Sequence, residues 1–259
     1  MQFKIMIPVY TAVLLSCQHG KSQKNPIETR ETSAIDGNPY PNIASIPLPA
    51  GFKRIACENG SYACWLKELG LKPDKTVHLY DGTVKPNQDA QFAVIDLSVG
   101  NKNLQQCADA VMRLRAEYFY SKHQYDSIVF FDNNQTAYRL TAPFTRLHFL
   151  EYMEKVFGMC GSASLSRQLR PVADLSGVMP GDVLVRGGFP GHAETVMDVA
   201  INEEGKKIYL LSQSYMPAQD IHVLVNPLNL DYSPWYEVTS AETIVTPEYV
   251  FKREELKRW

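Results

Sequence analysis

The sequence predicts an α+β fold, an antiparallel sheet packed against one main helix. Two stretches carry that expectation. Between Asn103 and Lys122 the residues Leu104, Cys107, Ala108, Val111, Leu114 and Tyr118 recur at helical spacing, and Asn103 is a good N-cap type. Between Pro180 and Ser214 the pattern is strand, glycine-rich connection, strand, turn and strand: the run from Pro180 opens as a strand, the second strand is His192 to Ile201 and the third Ile208 to Ser214, with Glu203-Glu204-Gly205 as the turn.

The chain of 259 residues opens on Met1-Gln2-Phe3-Lys4 and an apolar run from Ile5 to Ser16 that closes on Leu14-Leu15-Ser16-Cys17. A membrane-spanning helix needs roughly 20 apolar residues, so this run suits the core of a signal peptide instead. Leu-Leu-Ser-Cys resembles the bacterial lipobox, which implies acylation of Cys17 after removal of residues 1–16. Several acyl chains would make a lasting membrane anchor, since each buried methylene contributes about 0.8 kcal/mol. Residues 17–45 are rich in Ser, Asn, Lys, Thr, Gln and Pro and read as a tether. No acidic cluster follows Cys17, so the expected location is the periplasmic face of the outer membrane. Residues 46–259 then form a single α+β domain, long enough for a sizeable core.

A formal net charge of −2 leaves no basic footprint for nucleic acid. No Walker loop, dinucleotide-binding glycine pattern or zinc spacing occurs, so neither cofactor nor metal is expected. With Cys17 set aside, Cys57, Cys64, Cys107 and Cys160 remain. An oxidising periplasm permits disulfides, and Cys57 and Cys64 flank Glu58-Asn59-Gly60, which could turn the chain back and let them pair.

The other elements follow from local pattern. Ser61 caps a short helix to Leu69, and Pro73 ends it. Val77–Tyr80 and Gln91–Val99 read as strands, the second covered on both faces because its alternation is weak. Ser127–Phe131 is a strand before an Asn133-Asn134 turn, Arg146–Phe157 a helix and Ser164–Leu169 a short helix. Ile221–Val225 is another strand. Tyr249–Trp259 reads as an amphipathic helix with basic residues near its end, favourable to the helix dipole.

The run Pro180-Gly181-Asp182 … Gly187-Gly188-Phe189-Pro190-Gly191-His192 resembles the segment around the catalytic histidine of NlpC/P60 and CHAP domains, papain-like peptidases and amidases of cell-wall peptides. That resemblance, covering residues 180–215, implies a papain-like sheet with His192 as the base. Four longer blocks, Ser61–Lys67, Leu104–Tyr118, Gly187–Ala193 and Gln213–His222, resemble the DUF4846 family of bacterial lipoproteins, which brings no established activity.

A cysteine–histidine enzyme needs a thiolate, which the unsatisfied N–H groups of a helix N-terminus help to stabilise. Cys107 falls in the first turn of the main helix, with small Ala108 beside it; a buried structural thiol is the alternative. Cys160, before the short helix, is the rival nucleophile but stands close before His192 for such a fold. Gln213 is favoured to orient the imidazole, because an amide carbonyl is a fixed acceptor. A two-residue turn at Glu204-Gly205 would set Val196 opposite Gln213 and place His192 on one face with Gln213 and Tyr215. A three-residue turn, 203–205, would set Val196 opposite Ser212 and change that face. Arg186, Gly187, Gly188, Tyr215, Gln219 and Asp220 are candidate substrate-binding residues.

The sequence therefore leads to an expectation of a lipid-anchored cysteine hydrolase acting on amide bonds in peptidoglycan peptides. The alternative is a non-catalytic envelope lipoprotein that binds peptide, glycan or a protein partner in the same groove.

Overall fold

The computed structural model describes residues 37–259. The expected signal segment, Cys17 and the expected tether as far as residue 36 lie outside the described residues. In chain order the elements are β1 (Phe52–Arg54), α1 (Tyr62–Glu68), β2 (Gln91–Val94), α2 (Cys107–Ser121), β3 (Val129–Phe131), β4 (Ala137–Arg139), α3 (Arg146–Met159) and α4 (Ser162–Gln168). They continue as β5 (Arg170–Pro171), β6 (Val183–Arg186), β7 (His192–Asn202), β8 (Lys207–Gln213), β9 (His222–Leu224), β10 (Tyr236–Glu237), β11 (Thr243–Val245), β12 (Val250–Lys252) and β13 (Leu256–Arg258). The fold is α+β, as the sequence predicts.

A nine-stranded sheet runs β2-β9-β8-β7-β6-β13-β5, with β1 added along β7 and β10 along β8. All its pairings are antiparallel. β7 is its spine, and nine of its eleven residues are buried, which is the reason its sequence shows little alternation. On one face Met197, Ala200, Ile208 and Leu210 pack with Ala110 and Leu114 of α2. On the other, Val196, Val199, Leu211 and Leu224 pack with Ile244 and Phe251 of the β11–β12 hairpin.

A bulge in β7 sets the register on which the site depends. At the hairpin end Asn202 N donates to Lys206 O, and Ile201 faces Lys207, the geometry of the three-residue turn. The register then slips between Val196 and Asp198, so Val196 faces Leu211 and Thr195 faces Ser212. Neither simple turn gives that pairing. A one-residue slip exchanges the two faces of everything beyond it. Here it returns His192, Glu194 and Gln213 to one face.

Helix α2 is buried along most of its length because it fills the space between two clusters. Ala110 and Leu114 face the sheet, whereas Ala108, Val111, Met112 and Ala116 pack with Phe149, Met153 and Val156 of α3. Its charged side is buried too. Arg113 Nε donates to Glu117 Oε1 at 2.7 Å, and Arg146 of α3 donates twice to the same carboxylate, at 2.6 and 2.7 Å.

Four expectations are corrected. The helix expected at Asn103 begins at Cys107, because the Asn103 side-chain oxygen instead accepts from Ala218 N at 2.8 Å. The C-terminal helix expected over Tyr249–Trp259 is instead β12, a single 3-10 turn and β13. Leu256 pairs with Leu184 and Lys257 with Val183, so the end of the chain extends the sheet rather than covering it. Val77–Tyr80 makes only isolated bridges, His78 with Val84 and Leu79 with Gln219. Residues 37–45, read with the tether, belong to the packed body: Asn38 N donates to Pro73 O and Ile43 is fully buried.

Cys57 and Cys64 form a disulfide with Cα atoms 5.6 Å apart. It ties the first turn of α1 to the segment after β1. Closing so short a loop should stabilise the fold by about 2.5 kcal/mol through the entropy of the unfolded chain. Urea melts with and without a phosphine reductant will measure this loss; identical midpoints would show that the bond contributes nothing.

Candidate functional site

Three element ends meet at one corner of the sheet. Cys107 is the first residue of α2, His192 the first of β7 and Gln213 the last of β8. The Cys107 thiol is unpaired and partly exposed, and it adjoins the His192 ring. On its other side, His192 Nε2 stands 2.8 Å from Gln213 Oε1. The Gln213 amide nitrogen donates to Glu248 Oε2 at 2.7 Å, and the same carboxylate oxygen accepts from Lys85 Nζ at 2.6 Å.

This chain fixes the proton positions. A carboxylate only accepts, so the Gln213 NH2 must face Glu248 and its carbonyl must face the imidazole. Nε2 then carries a hydrogen and donates it to Gln213. Nδ1 is left for the thiol. His222 completes the arrangement: its Nδ1 donates to Asp220 O at 2.9 Å, and its Nε2 lies 3.4 Å from the Gln213 amide nitrogen. Burial and nearby Lys85 push the His222 pKa down to about 4, so this ring stays a neutral acceptor.

His192 is pushed the other way. Burial alone favours the neutral ring, but the Cys107 thiol and the Glu194 carboxylate outweigh it and raise the pKa to about 10. Glu194 Oε1 lies 3.5 Å from His192 Nε2 and accepts from Thr246 Oγ1 at 2.8 Å. Its other oxygen is buried without a partner. Burial pushes the Glu194 pKa up, opposed by His192 and Thr246. Aromatic rings enclose the imidazole, with centroids 5.0 Å away for Tyr215, 4.7 Å for Tyr249 and 5.8 Å for Phe251.

Cys107 opens onto a cleft of about 300 Å³ shared by Ala108, Asp109, Ser162, Gly188 and Gly191. Phe189 and Met216 stand at its rim, 89% and 54% exposed. Because Cys107 begins the helix, its N–H and that of Ala108 have no acceptor within α2 and can serve a ligand oxygen. Gly191 is required by space: a Cβ there would lie 2.6 Å from Arg186 O and 2.8 Å from Gly188 O, both backbone. Asp109 Oδ2 accepts from Gln106 N at 3.0 Å while Oδ1 is buried without a partner, and burial pushes its pKa up to about 8.

A domain-of-unknown-function model, DUF4846, matches residues 43–141 and 131–258. The chain belongs to that family. No curated protein and no solved structure matches this DUF4846 chain.

The expected residues divide into two groups. Cys107, His192 and Gln213 come together, with Tyr215 against the imidazole and Gly188 in the cleft. Arg186, Gly187, Gln219 and Asp220 do not line it. Arg186 is held by both oxygens of Glu255 at 2.6 and 2.7 Å. A Cβ on Gly187 would fall 2.9 Å from Ser166, so this glycine serves packing against α4. Asp220 accepts from Lys72 Nζ and His78 N, and Gln219 O accepts from Ser214 Oγ; both residues are buried. The Asp220 carboxylate thus supports the segment after β8, whereas the Gln219 side-chain Nε2 is buried with no partner among the described residues.

Cys160 caps the end of α3 and is buried among Val156, Leu165 and Val185. Burial, with Asp109 and Asp132 nearby, pushes its thiol up to about 12, which keeps it protonated at neutral pH. Glu194, Thr246 and Glu248 were not foreseen. Only Glu194 left a signal, two residues after His192 on a strand and therefore on the same face. Among the described residues no group of three His, Cys, Asp or Glu side chains could hold a metal ion, and no helix is long and apolar enough to cross a membrane.

Proposed function

We propose that this DUF4846 domain is a papain-like cysteine hydrolase of amide bonds in cell-wall peptides, held in the envelope by lipid on Cys17. One observation carries the reading: the Cys107 thiol, at a helix N-terminus, adjoins an imidazole whose far nitrogen is fixed by Gln213. That order of groups, nucleophile, base and orienter, is the arrangement by which a thiol is activated.

In the first half-reaction the Cys107 thiol gives its proton to His192 Nδ1 as the sulfur attacks the carbonyl carbon and forms a C–S bond. The N–H groups of Cys107 and Ala108 receive the developing oxyanion. The C–N bond breaks as His192 Nδ1 delivers its proton to the departing amine. Water then attacks the thioester, His192 takes a proton from it, and the acid leaves as the C–S bond breaks. The cell-wall substrate class is supported by the Gly-Asp … Gly-His resemblance and by the lipobox-like Leu14–Cys17.

Full-length protein incubated with purified muropeptides should release a new amine and a new carboxyl group, read by mass spectrometry. Cys107→Ala should reduce that release at least a thousandfold. Equal digestion by the variant would reject the thiol's role.

A further inference from the structure

A second cavity, of about 150 Å³, lies beside the cleft and shares Leu104 and Phe157 with it. Its polar lining is made by Gln105, Arg113, Arg146 and Lys102, with Ser98, Asn101 and the carboxylate of Glu154. Gln105 and Arg113 are only 1% and 4% exposed, an unusual place for a guanidinium and a primary amide.

Charge in this wall does not balance. Arg113 and Arg146 share one carboxylate, Glu117, while Lys102 is paired with Glu154 at 2.7 Å. One positive charge is left over. Hydrogen bonding is incomplete as well. Arg113 spends Nε on Glu117 and Nη1 on Gln105 Oε1, at 3.0 Å, and Nη2 bonds nothing among the described contacts. Gln105 Nε2 is buried with no partner among the described residues. An unmade buried hydrogen bond costs about 1–3 kcal/mol, so such a donor is retained where a ligand satisfies it. The Gln105 backbone is anchored too, since its main-chain carbonyl lies 3.0 Å from Ser214 Oγ and shares that hydroxyl hydrogen with Gln219 O.

We infer that this cavity binds a carboxylate, and that it is the subsite for an acidic group of the substrate acted on at Cys107, which lies two residues from Gln105. The second clause rests on the proposed hydrolase; the first does not. A carboxylate suits the wall because it is a planar double acceptor of one negative charge, matching one uncommitted guanidinium nitrogen, one amide donor and one unbalanced positive charge. Val99, Leu104, Leu150 and Phe157 would enclose the carbon skeleton behind it.

The test reads binding without turnover. Cys107→Ala protein is titrated calorimetrically with N-acetyl-alanine and with its carboxamide, which differ only in the acidic group. The acid should bind at least tenfold more tightly. Gln105→Glu keeps the acceptor for Arg113 but replaces the free donor with a repelling oxygen, and should erase the preference. Arg146→Gln, at a half-exposed position, removes the surplus charge and should reduce the preference severalfold, which covers the case in which the buried variant fails to fold. Equal binding of acid and amide, or an unchanged preference in Arg146→Gln, overturns the inference, as does inorganic phosphate binding more tightly than the acid. An intact acid preference in a chain that hydrolyses nothing would remove the hydrolase alone. Hydrolysis dependent on Cys107 without any acid preference would remove the subsite alone.

Discussion

Replacing His192 with alanine should lower amide hydrolysis by about 10³-fold or more, with the fold retained. General acid–base catalysis contributes about 10²–10⁴-fold by itself, and in the proposed mechanism this ring carries every proton transfer. The substitution should slow alkylation of Cys107 by iodoacetamide in parallel, because both reactions use the same sulfur. Cys160, buried and pushed up to about 12, should react slowly before and after. One neighbour, Glu194, acts through the ring. Glu194→Gln removes one of the influences that raise His192, so its titration, followed by NMR of the labelled imidazole, should move down from about 10. The stability consequence has a definite sign. A histidine whose folded pKa is raised stabilises the fold fully below its ordinary value of 6.5, and that contribution is lost as pH climbs through about 10. Glu194→Gln should therefore narrow the pH range over which the fold gains from protonated His192. An unshifted His192 titration in that variant would show that the carboxylate does not govern the ring.

The histidine hairpin was legible because its signals are local. Gly-Asp, a glycine-rich connection and Gly-His lie within a dozen residues, and the strands beyond them carry enough apolar residues to be seen. The partnership of His192 with Gln213 was legible only as an alternative. It depends on a bulge at Met197 that no single residue announces, since the slip is decided by how α2 and the β11–β12 hairpin pack on opposite faces of β7. A helix capped at Asn103 puts Cys107 at the end of the first turn, and it proves to be the first helical residue. The difference arises because Asn103, a good cap by type, spends its side chain on Ala218, 115 residues away. Asp220 differs for the same reason: a polar residue near a groove reads as a ligand group, whereas Lys72 and His78 claim its carboxylate. The C-terminal strands are not legible in the sequence because three residues are too few for period two to stand out from period 3.6.

That C-terminal segment also carries the largest expected effect on stability. Asp182, the acid of the Gly-Asp pair, is not in the cleft. It is almost fully buried at the start of β6, where both its oxygens accept from Arg258 of β13, at 2.6 and 2.7 Å, and one also accepts from Met179 N. The motif's acid thus joins the end of the chain to the strand that leads into His192. Arg258→Ala should destabilise the fold by about 3 kcal/mol at neutral pH. Removing one partner of a buried pair costs about 3–5 kcal/mol, and the partly exposed Arg258 places this pair at the low end. The loss should depend on pH in one direction. Burial already raises the Asp182 pKa even with Arg258 present. Without the guanidinium the raised value climbs further, the folded state binds more proton than the unfolded one, and stability falls as pH rises. The deficit should therefore be greatest near pH 7 and shrink as pH falls towards 4, where the carboxyl can be neutral in both states. Urea midpoints for the two proteins across that range will measure it. Pairing Asp182→Asn with Arg258→Met should recover most of the loss, since no charge is then left buried alone. A deficit that is the same at every pH would mean that the lost packing of Arg258, and not the stranded carboxylate, is what the fold feels.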